Sequence, residues 1–279
     1  MKDRIGLIGL GLVGSALTER FVKAGFDVIG HDIDKNKVKS LDEKLKEAAD
    51  FPCEVAEKCS RIVLSLPNSH IVREVIEGEN GIIHSAKAET VIIDTTTGDP
   101  VMTAELAERL LKHHIHYIDA TIAGSSQQVR SGNVILMIGG DEDIINNQID
   151  ILKSITSDLF LMGVNGKGAE TKLVVNLFIG LNRLVLAEGL SLALKAGINI
   201  DMLMEVLKAG PAYSRVMDIK GDKMIKRDFT PQGKLAQHLK DVGLILEMGD
   251  RFQAKLPLSK LNFEILTQAV KDGLGDEDN

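Results

Sequence analysis

Cysteine is scarce: Cys53 and Cys59 are the only two in 279 residues. They lie six positions apart in a segment with helical character, so they point from different faces. No second C-x-x-C and no histidine pair accompanies them. That argues against a zinc site or a disulfide framework and leaves two idle thiols suited to a reducing compartment. Unbroken apolar runs are missing too. No stretch of eighteen consecutive apolar residues occurs, and the N-terminal Ile5–Leu10 run is short and enters a glycine-rich turn rather than a cleavage site. A cytoplasmic protein with no membrane partner is expected. Positive charge is not in excess: the formal net charge of −7 argues against nucleic acid and anionic lipid surfaces as partners. His113, His114 and His116 have no carboxylate or cysteine at ligand spacing; they read as a helix C-terminus, favoured there by the helix dipole, and no metal is expected. There is no internal repeat and no low-complexity tract.

What remains is ordinary for a globular protein, 44% apolar and 26% charged. The length exceeds what one hydrophobic core normally serves, so two domains are expected. In the first half, short β-branched runs alternate with helical patterns. Arg4–Leu10, Asp27–His31, Ile62–Leu66, Val91–Asp94, Tyr117–Ile122 and Val134–Ile138 read as strands, with helices such as Ser15–Ala24 and Val101–His113 between them. Such alternation makes βαβ units and hence a mostly parallel, doubly wound sheet covered on both faces. Around Gly163 the pattern changes. Ala169–Ala196 contains no proline and carries apolar residues at helical spacing (Leu173, Leu177, Leu181, Leu184, Ala187, Leu190, Leu194), which predicts one long helix buried on several sides. Further helices are expected over Asp201–Ala209, with Asp201 as N-cap, and over Asp218–Lys226, Gly233–Met248 and Leu258–Gly273. The fold class is α/β: a Rossmann domain at 1–162 and an all-α domain at 163–279 led by the long helix. The breadth of that helix's apolar surface predicts pairing of C-terminal domains in a homodimer or homotetramer.

Gly9-Leu10-Gly11-Leu12-Val13-Gly14 fits G-x-G-x-x-G, follows a strand and opens a helix. Gly9 permits the tight turn, Gly11 lets backbone approach a pyrophosphate, and Gly14 lets helix pack on strand. The N-terminal amides, Leu12 and Val13 among them, are free to meet an anion. Asp32, at the end of the second strand, can accept both ribose hydroxyls of NAD and repels a 2′-phosphate. NAD is therefore expected over NADP, although Lys35 and Lys37 stand close enough to tolerate the latter. His31 reads as packing. Leu66-Pro67-Asn68 and Asp94-Thr95-Thr96-Thr97 end strands facing the same crevice; Leu66, Pro67 and Thr96 are candidate contacts to the nicotinamide half, with ordinary turn or capping chemistry the competing reading for each threonine.

Beyond these motifs the chain carries Asp119-Ala120-Thr121-Ile122-Ala123-Gly124-Ser125, Gly166-Lys167-Gly168 with Lys172 and Asn176, Lys240-Asp241, and a closing Gly-Leu-Gly-Asp-Glu-Asp. In that order, and over essentially the whole length, it resembles the β-hydroxyacid dehydrogenase family, which includes 3-hydroxyisobutyrate dehydrogenase and tartronate semialdehyde reductase. The resemblance implies an NAD-dependent oxidoreductase acting on a small carboxylate substrate, with Lys172 as general acid/base, Asn176 orienting substrate and Lys240 reaching toward cofactor and active site. Residue chemistry agrees. Lys172 and Asn176 are i and i+4 on one helix face, and a carbonyl oxygen needs a proton as hydride reaches its carbon, which an ammonium can give. The family's substrate loop reads D-A-P-V-S-G-G; here Ala123 lacks the serine hydroxyl, Ser125 replaces a glycine and Gly124 keeps an accessible amide. Ala123, Gly124 and Ser125 are the candidate substrate contacts, with Ser126 as a displaced donor and Arg130 either an added anion contact or a solvated surface residue. One family asparagine is Val175 here, rotated about 100° from Asn176. Phe229 and Leu239 read as core anchors, and Tyr213 as pocket wall or core. The alternatives are a glyoxylate or succinic semialdehyde reductase, more remotely imine reduction, and a dinucleotide-binding protein without turnover.

Overall fold

The structure, a computed structural model, describes residues 3–279. Eight strands form one sheet: β1 (Arg4–Ile8), β2 (Asp27–His31), β3 (Glu47–Ala48), β4 (Arg61–Leu64), β5 (Val91–Asp94), β6 (His116–Ala123), β7 (Ile135–Gly139) and β8 (Asp158–Gly163). Their order is β3-β2-β1-β4-β5-β6-β7-β8. Every neighbouring pair is parallel except β6 with β7. Between them run α1 (Leu12–Ala24), α2 (Lys35–Lys39), α3 (Pro52–Lys58), α4 (Ser69–Glu77), α5 (Pro100–Leu111), α6 (Ser126–Ser131), α7 (Glu142–Asn146) and α8 (Ile149–Ile155). The order reverses between β1 and β4, and in such sheets a ligand crevice opens at the carboxyl ends of those strands.

Strand residues alternate between two cores, as the pleat requires. Ile5, Leu7, Val63, Ile93 and Ile118 pack with Leu17 and Phe21 of α1. Ile8, Ile62, Leu64 and Ile92 pack on the other face with Val55, Ile76, Leu106 and Leu110. Two strands escaped the sequence pattern for physical reasons. β3 has only two residues, and β8 is an edge strand that is largely exposed, so neither carries a buried apolar signature.

The helical part comprises α9 (Lys167–Lys195), α10 (Ile200–Ala209), α11 (Val216–Lys226), α12 (Leu235–Arg251) and α13 (Pro257–Ala269). The chain divides into two compact units inside α9, between Lys172 and Leu173. In the second unit a small core gathers Leu186, Leu190, Met204, Val216 and Met217. The C-terminal tail is fastened to it: Leu235 N–H donates to Glu277 O, and Asn279 N–H to Gly233 O, each at 2.9 Å. Lys220 meets Asp278 in a buried ion pair at 2.5 Å.

Four expectations are corrected. The N-cap of α10 is Asn199, whose side chain accepts Met202 N–H at 3.0 Å, not Asp201. α13 ends at Ala269, where a wider turn over Val270–Leu274 closes on Gly273 in the left-handed region (φ 89°). Phe229 is exposed and Leu239 only half-buried, so neither anchors a core. The long helix, expected to be buried on several sides, leaves a broad apolar face uncovered in the single chain: Phe178, Val185 and Leu192 are 63%, 69% and 70% exposed. By length and composition α9 would suffice to cross a membrane, yet Lys172 and Asn176 are buried within it.

Candidate active site

At the end of β1 the three glycines are demanded by different neighbours. Gly9 sits at φ 93°, and a Cβ there would lie 2.2 Å from Ser65 O. At Gly14 a Cβ would lie 1.9 Å from Gly9 O, so the helix can approach the strand only without a side chain. Gly11 is different. A Cβ there would meet nothing within 4 Å, so no part of the chain excludes it. Gly11 caps α1 without a side-chain hydrogen bond, and the first turn, with Leu12 and Val13, holds no acidic residue. An open space beside uncapped helix amides fits a pyrophosphate. Asp32 is buried, its Oδ2 accepting Leu10 N–H at 2.7 Å and its Oδ1 accepting Asp34 N–H at 2.9 Å. Lys35 is held by Asp50 at 2.6 Å, and Lys37 lies 3.4 Å from Asp32 itself. His31 is internal, with Nδ1 3.0 Å from Ala49 O.

The next two strand ends are stitched together. Thr95 hydroxyl donates to Leu64 O at 2.7 Å, Leu66 N–H to Thr96 Oγ1 at 3.1 Å, and Asp99 N–H to Ser69 Oγ at 2.7 Å. Leu66 is half-buried and Pro67 exposed.

Farther along the sheet, β6 ends at Ala123. Gly124 turns the chain at φ 151°, where a Cβ would strike Val134 Cγ1 at 2.5 Å. Ser125 then caps α6 in a capping box: its Oγ accepts Gln128 N–H while its own N–H donates to Gln128 Oε1. Ser126 is buried. Arg130 bonds Glu19 at 3.1 Å and Ser15 at 3.2 Å, which engages it at α1.

The start of α9 is seated on β6 by Asp119. This buried carboxylate accepts Gly166 N–H on Oδ1 and Ala169 N–H on Oδ2, both at 2.9 Å; burial raises its pKa. Thr121 hydroxyl donates to Gly168 O at 3.1 Å. A Cβ on Gly168 would stand 2.6 Å from Met137 O, which explains why the helix enters through Gly-Lys-Gly. Lys172 follows one turn later at 8% exposure, and Asn176 a further turn along at 7%. Asn176 Nδ2 donates to Asp241 Oδ2 at 2.9 Å, while Asp241 Oδ1 lies 2.9 Å from Lys240 Nζ. Lys240 is thereby tied to the carboxylate that holds Asn176.

Three residues that the sequence did not mark stand out. Asp94 and Tyr117 share a buried hydrogen bond of 2.5 Å at the end of β5. Arg183 is deep enough that burial lowers its pKa to about 10, with Asp278 and Asp241 opposing the shift. Tyr213 is exposed and bonded to Asp218. His116 opens β6, where it pairs with Glu89 from the turn before β5, rather than extending a helix end.

Residues 4–163 match the profile of the NAD binding domain of 6-phosphogluconate dehydrogenase, and residues 166–279 that of the NAD-binding region of NADP-dependent 3-hydroxyisobutyrate dehydrogenase. The chain is 31% identical over 276 residues to 2-(hydroxymethyl)glutarate dehydrogenase of Eubacterium barkeri, covering 99% of this chain and 92% of that one.

The chain belongs to the β-hydroxyacid dehydrogenase family.

Another member of this family, 2-hydroxy-3-oxopropionate reductase of Escherichia coli K12, is 27% identical, with 97% and 92% of the two chains covered. The crystal structure of a 3-hydroxyisobutyrate dehydrogenase from Salmonella typhimurium shares the fold at a TM-score of 0.90 and 24% identity, covering 99% and 97%. As a β-hydroxyacid dehydrogenase, the chain is an NAD(P)-dependent oxidoreductase acting on a hydroxyl group. Its Rossmann sheet, its all-helical second part and the helix that leads it are as the sequence predicts.

Proposed function

We propose that this β-hydroxyacid dehydrogenase interconverts a small β-hydroxy acid and its semialdehyde, with NAD preferred over NADP and Lys172 handling the proton. The observation that carries the reading is the pair Lys172 and Asn176, both buried, one turn apart on one face of a helix whose first turn is fastened by Asp119. The nicotinamide supplies or takes the hydride. In reduction the Lys172 ammonium gives its proton to the carbonyl oxygen; in oxidation the neutral amine takes it from the hydroxyl. Asn176, fixed by Asp241, presents its remaining amide atoms to orient that oxygen. The names borne by the relatives, 2-(hydroxymethyl)glutarate dehydrogenase and 2-hydroxy-3-oxopropionate reductase, support a hydroxyl or aldehyde carbon close to a carboxylate. At the substrate loop the hydroxyl of Ser125 and the backbone of Ala123–Gly124 take the place of the missing serine; Arg130, engaged by Glu19, is left out of that role.

Preference for NAD rests on Asp32 and Asp34. A 2′-phosphate would enter beside two carboxylates, with Lys35 committed to Asp50 and Lys37 adjoining Asp32. Of the expected contacts, Gly9, Gly11, Leu12, Val13, Gly14 and Asp32 would hold the dinucleotide, with Leu66, Pro67 and Thr96 beside its nicotinamide half.

The exposed stripe of Phe178, Val185 and Leu192 supports pairing with a second copy through α9. The two free cysteines support a cytoplasmic setting.

A spectrophotometric screen of C3–C5 hydroxy acids and semialdehydes with each cofactor tests the reading. The expected result is turnover of a β-hydroxy acid with kcat/KM higher for NAD; turnover confined to substrates without a carboxylate, or a preference for NADP, contradicts it.

A further inference from the structure

Tyr117, Asp94 and Thr96 form a connected set in the interior of the Rossmann sheet. Tyr117 hydroxyl donates to Asp94 Oδ2 at 2.5 Å, and Thr96 N–H donates to Asp94 Oδ1 at 2.9 Å. Thr96 hydroxyl also donates to Asp94, while its lone pair accepts Leu66 N–H at 3.1 Å. All three side chains are buried. The chain of bonds therefore starts on β6, passes through the end of β5 and stops at the backbone of the turn after β4. That turn lies against the dinucleotide loop, since Ser65 O is what forbids a side chain at Gly9. Thr96 has both functions of its hydroxyl committed within the protein, so its service to a cofactor is indirect.

A buried carboxylate is an expensive way to hold a turn. An apolar residue would fill the end of β5 without desolvating a charge. What the carboxylate adds is direction: three donors converge on it, which fixes the rotamer of Thr96 and hence the position of Leu66 N–H.

We propose that Asp94, braced by Tyr117, is a positioning residue that sets the Leu66–Pro67 turn for the dinucleotide and so tunes cofactor affinity.

This rests on the dehydrogenase reading given above. The set also makes affinity respond to acid. Burial pushes the Asp94 carboxyl up to about 6, against the three hydrogen bonds that pull it down, with the neighbouring Asp119 adding to the rise. A cavity of about 260 Å³ beside Asp94 and Tyr117 is lined by His70 and Arg73 from α4 and by Glu105 and Arg109 from α5. Arg73 and Arg109 are both bound to Glu77 at 3.2 and 2.7 Å. Protonated Asp94 becomes a donor at one oxygen, so the bond made there must reverse or be lost, and the set that holds Thr96 loosens.

The test is NADH binding, followed by nucleotide fluorescence between pH 5 and 8, in the wild type and in D94N, T96V, T96S and Y117F, each checked by melting. Loss of one buried bond to the carboxylate predicts about a tenfold weaker NADH affinity in D94N and T96V. T96S, which keeps the hydroxyl, should return to within about twofold. Wild-type affinity should weaken below pH about 6, Y117F should move that midpoint upward because a donor to the charged form is lost, and D94N should abolish it. With NADH varied in turnover assays, the effect should fall on KM for the cofactor and vanish at saturation, leaving kcat unchanged. Unchanged affinity in D94N and T96V, or an acid midpoint that Y117F does not move, overturns the positioning role. If the wild type binds neither NADH nor NADPH, the dehydrogenase reading fails first and this inference with it.

Discussion

Asp119 accepts the backbone N–H of Ala169 at 2.9 Å, three residues before Lys172. Strand β6 thus fixes where the long helix begins. Gly166 N–H bonds to the other oxygen of the same carboxylate, so two helix-entry amides depend on one side chain. Removing it in D119A leaves both buried amides without an acceptor, at about 1–3 kcal/mol each, and urea unfolding should show a loss on the order of 3 kcal/mol. A loss below about 0.5 kcal/mol would mean the helix is seated by something else.

The glycines of the cofactor turn give contrasting outcomes. At Gly14 a Cβ would sit 1.9 Å from a carbonyl oxygen, so G14A should lower the melting temperature and NADH affinity together. At Gly11 the same methyl meets empty space. G11A should cost less than about 1 kcal/mol of stability as a helix-cap change while weakening dinucleotide binding by more than about tenfold, since the methyl fills the room the pyrophosphate needs. Isothermal titration beside thermal melts separates the two.

The same contrast shows what could be read from sequence. G-x-G-x-x-G after a strand and Asp32 at the next strand end are local signals, and the structure brings them together through Leu10 N–H on Asp32. Helical spacing alone put Lys172 and Asn176 on one face. The carboxylates Asp94, Asp119 and Asp241 were not legible in their roles, because each acts on a partner 2, 50 or 65 positions away through backbone or amide contacts that leave no periodic trace. Only Asp94, at the end of β5 ahead of a threonine-rich turn, offered a local sign; Asp119 lies within β6 and Asp241 within α12. The breadth of the apolar surface on α9 was legible, but not that a single chain leaves much of it uncovered.

Asp278 is the tail's electrostatic anchor. It pairs with buried Lys220 at 2.5 Å and accepts Gln232 N–H at 2.8 Å, and its field supports buried Arg183. D278A strands Lys220 in a dry site, and breaking a buried pair from one side should cost about 3–5 kcal/mol in a denaturant melt. The double change K220M/D278L should recover most of that; equal loss in both would point to packing of the tail instead.

Asp94 gives stability a definite slope with pH. Its carboxyl is raised from 3.8 to about 6 in the folded chain, so the folded state holds its proton longer than the unfolded state. The stability it contributes is full below about pH 3.8 and is lost as pH rises through 6, on the order of 3 kcal/mol in all. D94N has no such slope. Chemical denaturation at pH 4.5 and pH 7.5 should therefore show the balance shifting toward the variant at the higher pH; a constant difference between the two proteins would contradict the raised carboxyl.

The most direct measurement is K172M assayed in both halves of its function. NADH binding should stay within about twofold of wild type, while semialdehyde reduction slows by about 10²–10⁴. Reduction at the wild-type rate with cofactor binding intact would contradict the proton-handling role of Lys172.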